Sequence, residues 1–284
     1  MVIIKLIGGL GNQLFQYAAA KSLAHFHNTN LKLDATAYAE DHLRNFNLAA
    51  FQMPLSFANK DEIETLIASG SIERIINRCK PYSKKRFYKE PFFHYDTNFF
   101  KLGKDVYLQG YFQSQKYFEK IASVIKSELT LKEDITSRNL EVSDYLKQPA
   151  SVSIHIRRGD YKNSASADYH GLLPLDYYQQ AMELMTQKLQ APKFFIFTDD
   201  EKWVAENFPL VNTEIVSGTK SATHFDDFYL MSQCRHNIIA NSSFSWWAAW
   251  LNNNPDKIVV APKKWFNNGP KDIDDLLPQK WKSI

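Results

Sequence analysis

SIHIRRGDY, residues 153–161, begins as an alternating apolar run and ends in two arginines, a glycine and an aspartate. The alternation predicts a strand over 151–156, with Ile154 and Ile156 on one face and His155 and Arg157 on the other. Arg158 and Gly159 then leave the strand. Three readings compete for this ending: an adhesion tripeptide at 158–160, a solvated turn whose arginines pair with nearby acids, or a grip on an anion. An adhesion tripeptide needs an exposed, flexible loop, and this one emerges directly from an apolar strand. Two adjacent arginines favour the anion, because the planar guanidinium stays charged and makes paired hydrogen bonds. Gly159 lets a backbone approach closely.

Outward from this stretch the second half alternates. Strands are expected at 193–197, 214–216, 236–240 and 257–261, and helices at 175–189, 201–207, 225–233 and 244–251, with Pro174 opening the first helix. Such alternation implies a mostly parallel, doubly wound sheet, whose ligands bind at the carboxyl ends of the strands. Two further strand ends are polar there. FTDD, 197–200, offers Asp199 as a helix cap or as a carboxylate for a ligand. NSSFSWW, 241–247, offers Ser242 as a plain N-cap, or Ser242 to Ser245 as an anion-binding helix start. Trp246, Trp247 and Trp250 read as core packing rather than a sugar platform.

The first half opens with a strand at 2–7, a glycine turn at 8–11, a helix at 12–26 and a strand at 31–34. With Asp34 23 residues after Gly11, this nearly matches a dinucleotide fingerprint, but Leu14 stands where the third glycine belongs. A nicotinamide-binding oxidoreductase is therefore an alternative rather than the main reading. Otherwise the turn is either a simple chain reversal or a substrate-facing loop with Asn12 and Gln13 at the helix start. Short helices are expected at 61–69 and 72–78, a basic, aromatic loop at 80–95, a strand at 106–111 and an amphipathic helix at 115–129. The polar stretch 130–144 separates the halves.

The chain has 284 residues, 44% of them hydrophobic, so it can bury substantial cores. Its 34 basic and 31 acidic residues leave a net charge of +3, too little to indicate nucleic acid. No stretch approaches the roughly 18 apolar residues of a membrane span. The N-terminus reads as a strand rather than a signal peptide. Cys79 and Cys234 form no metal-type or redox-type spacing, which suits a reducing, cytoplasmic compartment. The segment 80–95 is read as a solvated loop with buried aromatics, with weak association with a membrane surface as the alternative.

Together, GGLGNQLFQYAAA (8–20), LQGYFQSQKYF (108–118), HIRRGDY (155–161), FTDD (197–200) and NSSFSWWAAWL (241–251) resemble glycosyltransferase family 11, the α-1,2-fucosyltransferases, and more widely the α-1,2/α-1,6/protein O-fucosyltransferase group. HIRRGDY is the most specific of these motifs. The resemblance implies an α/β GT-B fold, two Rossmann-like domains facing each other across a cleft. Residues 1–148 would bind the acceptor and 149–284 the donor. It implies inverting transfer of L-fucose from GDP-β-L-fucose to O2 of a terminal galactoside, without metal or other cofactor. Arg157 would hold the β-phosphate, with Arg158 supporting it or reaching the phosphates itself. His155 and Asp199 would contact the guanosine, and Ser242, Ser243, Phe244 and Ser245 would line the diphosphate and nucleoside. Gly11 and Asn12 would face the sugar, with Asn12 joining the arginines in catalysis. Gln13, Asp34, Tyr111 and Gln113 would complete the acceptor side with Asn12. The general base stays open among Asp34, Asp160 and a phosphate oxygen. The acceptor would be a galactoside-terminated oligosaccharide or lipid-linked glycan of an O-antigen or capsule, and the enzyme cytoplasmic or peripheral at the inner face of the membrane. Another nucleotide sugar, another linkage, or a non-catalytic sugar-binding module are the remaining alternatives.

Overall fold

The computed structural model describes residues 1–39, 44–67, 77, 79–159, 165–209 and 211–284. The expected helix at 72–78 therefore lies almost wholly outside the described residues, and Asp160 lies outside them too. The chain forms two compact units, Met1–Thr130 with Asp274–Leu276, and Leu131–Ile273 with Leu277–Ile284. Among the described residues no helix is long and apolar enough to cross a membrane.

In the first unit, β1 (Val2–Lys5), β2 (Leu31–Asp34), β3 (Phe87–Lys89) and β4 (Val106–Gln109) form a parallel sheet of order β2-β1-β4-β3. Val2, Ile3 and Ile4 are fully buried, as the unbroken apolar run of an inner parallel strand requires. Gly8 has φ +78°, and a Cβ there would lie 2.7 Å from Asn12 Nδ2, so this turn demands glycine. Helix Leu10–Phe26 follows at once.

Two expectations for this unit fail. The segment 80–95 is not all loop, because it contains β3, in register with β4 through Phe87 and Tyr107. Its signal, two aromatic residues in a three-residue strand, is hidden among cations and between Pro81 and Pro91. Tyr88 is buried and donates to Asp96 at 2.7 Å, while Phe92 is half exposed. The helix expected at 115–129 comes in three pieces, two 3-10 turns at Gln115–Tyr117 and Glu119–Ile121 and an α-helix at Ala122–Glu128. Burial of Tyr117, Phe118, Ile121 and Ile125 satisfies the apolar pattern without one continuous helix.

In the second unit six parallel strands take the order β10-β9-β8-β5-β6-β7. They are β5 (Ser151–Ile156), β6 (Lys193–Thr198), β7 (Thr213–Ile215), β8 (His236–Ile238), β9 (Val259–Ala261) and β10 (Lys282–Ser283). The chain winds outward from β5 to β7, returns, and winds outward again from β8 to β10. The order thus reverses between β5 and β8, the switch point of a Rossmann sheet. Val152, Ile154, Ile156, Ile196, Ile238 and Val260 pack with Tyr178 and Met185 of helix Leu175–Lys188. Trp246 and Trp247 are fully buried and Trp250 nearly so, which agrees with their reading as core.

The stretch expected to separate the halves instead forms helices Glu133–Arg138 and Leu140–Leu146 of the second unit. Arg138 Nη2 lies 2.7 Å from the buried Asp226 Oδ1, and Asn139 Nδ2 donates to the same oxygen at 2.5 Å. These contacts tie 131–148 to helix His224–Gln233, so the units part after Thr130 rather than at 148.

Candidate active site

At the end of β5 the two arginines diverge, as consecutive side chains of an extended chain do. Arg157 turns to the switch point, where its Nη1 donates to Ser242 Oγ at 3.1 Å. Ser242 occupies the N-cap position of helix Ser243–Leu251, yet its side chain caps no backbone group of that helix. Its reading as a plain N-cap therefore gives way to a hydroxyl aimed at Arg157. A guanidinium and the positive end of a nine-residue helix thus meet where a doubly wound sheet binds its ligands.

His155 shares the strand face of Arg157 and lies 5.6 Å, ring to ring, from Phe244. Burial first, and the Arg157 charge second, lower its pKa to about 3. It is a neutral imidazole at neutral pH, able to accept one hydrogen bond and donate another. Its Nδ1 is buried without a protein partner.

Arg158 goes the other way. Its guanidinium stacks 3.6 Å from the Trp203 ring centre, and its Nε lies 3.5 Å from Asp200 Oδ2. The groups its side chain meets, Trp203 and Asp200, both belong to the segment after β6. Asp200 caps helix Glu201–Asn207 by accepting from Trp203 N at 3.3 Å. That leaves Asp199 exposed at the strand end, with Oδ1 accepting from Arg158 N at 2.7 Å. A Cβ on Gly159 would lie 2.9 Å from Asp199 Oδ2, so the glycine serves this close approach.

The first unit has a matching bridge. Gln113 Nε2, after β4, donates to Asn12 Oδ1, after β1, at 2.8 Å. These are the two inner, neighbouring strands of this sheet. Tyr111 is exposed beside this bridge, and Gly11 is buried in the first helical turn.

Gln13 and Asp34, expected on the acceptor side, are both buried and engaged by their neighbours. Gln13 is fully buried; its amide donates to Gly8 O at 3.0 Å and Asn45 O at 2.8 Å, and its oxygen accepts from Asn47 N at 2.8 Å. It is a strut holding the glycine turn. Asp34 is buried as well, accepting from Thr36 N at 3.0 Å, Thr36 Oγ1 at 2.6 Å and Tyr107 Oη at 2.5 Å. Both oxygens of this carboxylate are thus engaged by neighbours within the first unit.

Sequence reasoning passes over three residues. Gln16 accepts from Ile7 N at 3.1 Å and donates to Gly110 O at 3.0 Å, tying the ends of β1 and β4. A glutamine within QLFQYAAA was the available signal. Trp203 carries Arg158, and Glu90 holds the loop after β4; neither belongs to a recognisable pattern. The expectation of a metal-free site also overlooks one Asp-x-Asp, residues 272–274. Among the described residues no group of three or more His, Cys, Asp or Glu side chains is placed to hold a metal ion.

The arrangement suits a nucleoside diphosphate: a fixed cation, a helix start, a neutral imidazole and an exposed carboxylate gather around one sheet edge. The glycosyl transferase family 11 model matches residues 1–284. The alpha-1,2-colitosyltransferase of Escherichia coli is 34% identical over 295 residues, which cover 100% of this chain and 99% of that one. The galactoside alpha-(1,2)-fucosyltransferase 1 of Bos taurus is 30% identical over 165 residues, 54% of this chain and 45% of that one. The NodZ alpha-1,6-fucosyltransferase soaked with GDP-fucose has a similar fold, with a TM-score of 0.52 at 17% identity, covering 88% of this chain and 92% of the other.

Proposed function

Because the chain belongs to glycosyl transferase family 11, we propose that it transfers L-fucose from GDP-β-L-fucose, with inversion, to O2 of a terminal galactoside. The observation that carries this reading is the Arg157–Ser242 contact at the β5/β8 switch point. Breaking the fucose–GDP bond leaves negative charge on the β-phosphate while the sugar becomes oxocarbenium-like. Arg157 and the helix start at Ser243 are donors fixed in advance for that charge, and such donors are each worth roughly 3–4 kcal/mol in the transition state. His155 and Asp199 suit the guanosine, and Ser242, Ser243, Phe244 and Ser245 the diphosphate and nucleoside. On the acceptor side Asn12, Gln113 and Tyr111 remain. Arginine in place of a metal makes the reaction independent of divalent ions.

The E. coli relative favours a second donor. Colitose is L-fucose without its 3-hydroxyl. A site that hydrogen-bonds that hydroxyl would reject the deoxy donor by about 10⁴-fold or more, whereas a merely apolar pocket discriminates by only about 10²-fold. The test assays GDP-fucose and GDP-colitose against a panel of galactosides, with the product linkage read by NMR and each assay repeated in EDTA. We expect fucosyl transfer to O2, unchanged in EDTA. Preference for the deoxy donor would replace fucose, a different linkage would replace O2, and a strict ion requirement would remove the arginine-only mechanism. Thermal stabilisation by NAD and not by GDP would indicate an oxidoreductase instead.

We place the enzyme in the cytoplasm, acting on an oligosaccharide or lipid-linked glycan of an O-antigen or capsule. The exposed cations Lys80, Lys84, Arg86 and Lys89 favour weak attraction to an anionic membrane surface, of about 1 kcal/mol per residue near it.

A further inference from the structure

The loop after β4 is tightly built, and a residue outside every motif holds it. The Glu90 carboxylate accepts from Tyr111 N at 2.7 Å and from Phe112 N at 3.1 and 3.2 Å. Phe112 is fully buried and has φ 53°, a left-handed conformation that a bulky residue keeps only when its surroundings impose it. Gly110 has no room for a side chain, since a Cβ would lie 2.4 Å from Glu90 Cβ and 3.1 Å from Phe112 Cζ. One residue beyond Phe112, Gln113 reaches Asn12. Glu90, residues 110–113 and Asn12 thus form a continuous arc across the carboxyl ends of β3, β4 and β1.

We propose that Glu90 is the positioning residue of the acceptor subsite: its carboxyl group fixes the Gly110–Phe112 backbone so that Gln113 and Asn12 are set for a glycan hydroxyl. The acceptor part of this statement rests on the transferase reading; the part about the loop does not. An ionised carboxylate binds backbone amides more strongly than its neutral acid. Burial raises the Glu90 pKa to about 7, against the lowering effect of the two amides. Of the groups on adjoining elements, Tyr117 feels the Glu90 charge and is kept neutral by burial. Asp96 is held by Tyr82 and Tyr88, Lys116 and His94 face Asp275, and Lys89 is exposed.

The test compares wild type, Glu90→Gln and Gly110→Ala. Exchange of the Tyr111 and Phe112 amides, measured without substrate, should quicken about 10-fold or more in both variants, the scale of one lost charged hydrogen bond. With lactose as acceptor at saturating GDP-fucose, KM should rise by a similar factor while GDP affinity stays within about twofold. Unchanged amide exchange, an unchanged lactose KM in an active enzyme, or parallel loss of GDP affinity would each overturn the proposal. If the wild type transfers no sugar, the transferase reading fails and the exchange measurement alone decides the role of Glu90.

Discussion

Replacing Arg157 by alanine should lower turnover at least ~100-fold, the typical effect of removing one preorganised donor from a developing charge. The fold should survive. Arg157 is only partly buried, and the alanine variant releases one hydrogen bond to Ser242, worth about 1 kcal/mol. The loss should fall on the chemical step, because charge on the leaving diphosphate is greatest in the transition state. Arg157→Lys should also fail, since an ammonium is a point charge and cannot reproduce the planar fork that meets Ser242 and a phosphate together. Steady-state kinetics with circular dichroism checks both claims. Near-wild-type turnover in Arg157→Ala would remove the leaving-group role.

Gln13→Ala should produce the opposite signature. It removes the fully buried amide that partners Asn45 O and Asn47 N, while Gly8 O keeps Tyr38 Oη at 2.9 Å. Each orphaned group costs about 1–3 kcal/mol, so the loss should reach at least ~2 kcal/mol. Unfolding of the first unit should then move down by roughly 10 °C, given about 2–8 °C per kcal/mol for units of this size. The protein that remains folded should keep its substrate constants. A raised acceptor KM with unchanged stability would mean that Gln13 faces the substrate after all.

These two residues show what the sequence could carry. Arg157 and Gln13 both follow an apolar strand, and both belong to motifs that the family resemblance singles out. The arginine's place at the binding edge was legible, because the strand–helix alternation of 151–261 assigned that strand end to a doubly wound sheet. Gln13 was not, because an amide at a helix start serves a ligand or a neighbouring loop equally well. Only the packing of Asn45 and Asn47 decides between them. Asp34 misled in the same way, since Tyr107, 73 residues away, consumes its carboxylate. Local periodicity found most of the second unit. It missed β3, whose three residues pair with a partner some 20 positions on, and it drew one helix across 115–129 where the chain makes three shorter turns. Glu90 and Trp203 were invisible for the same reason, each defined by a contact distant in sequence rather than by a pattern.

The central claim is that Arg157 and the helix start at Ser243 recognise a β-phosphate. Calorimetric titration of GDP and GMP into wild type and Arg157→Ala tests it most directly, because the two nucleotides differ by that phosphate alone. Wild type should bind GDP at least about 10-fold more tightly than GMP, the worth of one charge-assisted hydrogen bond, and Arg157→Ala should bind the two almost equally. Equal affinities in wild type, or a GDP preference that survives the substitution, would contradict the account.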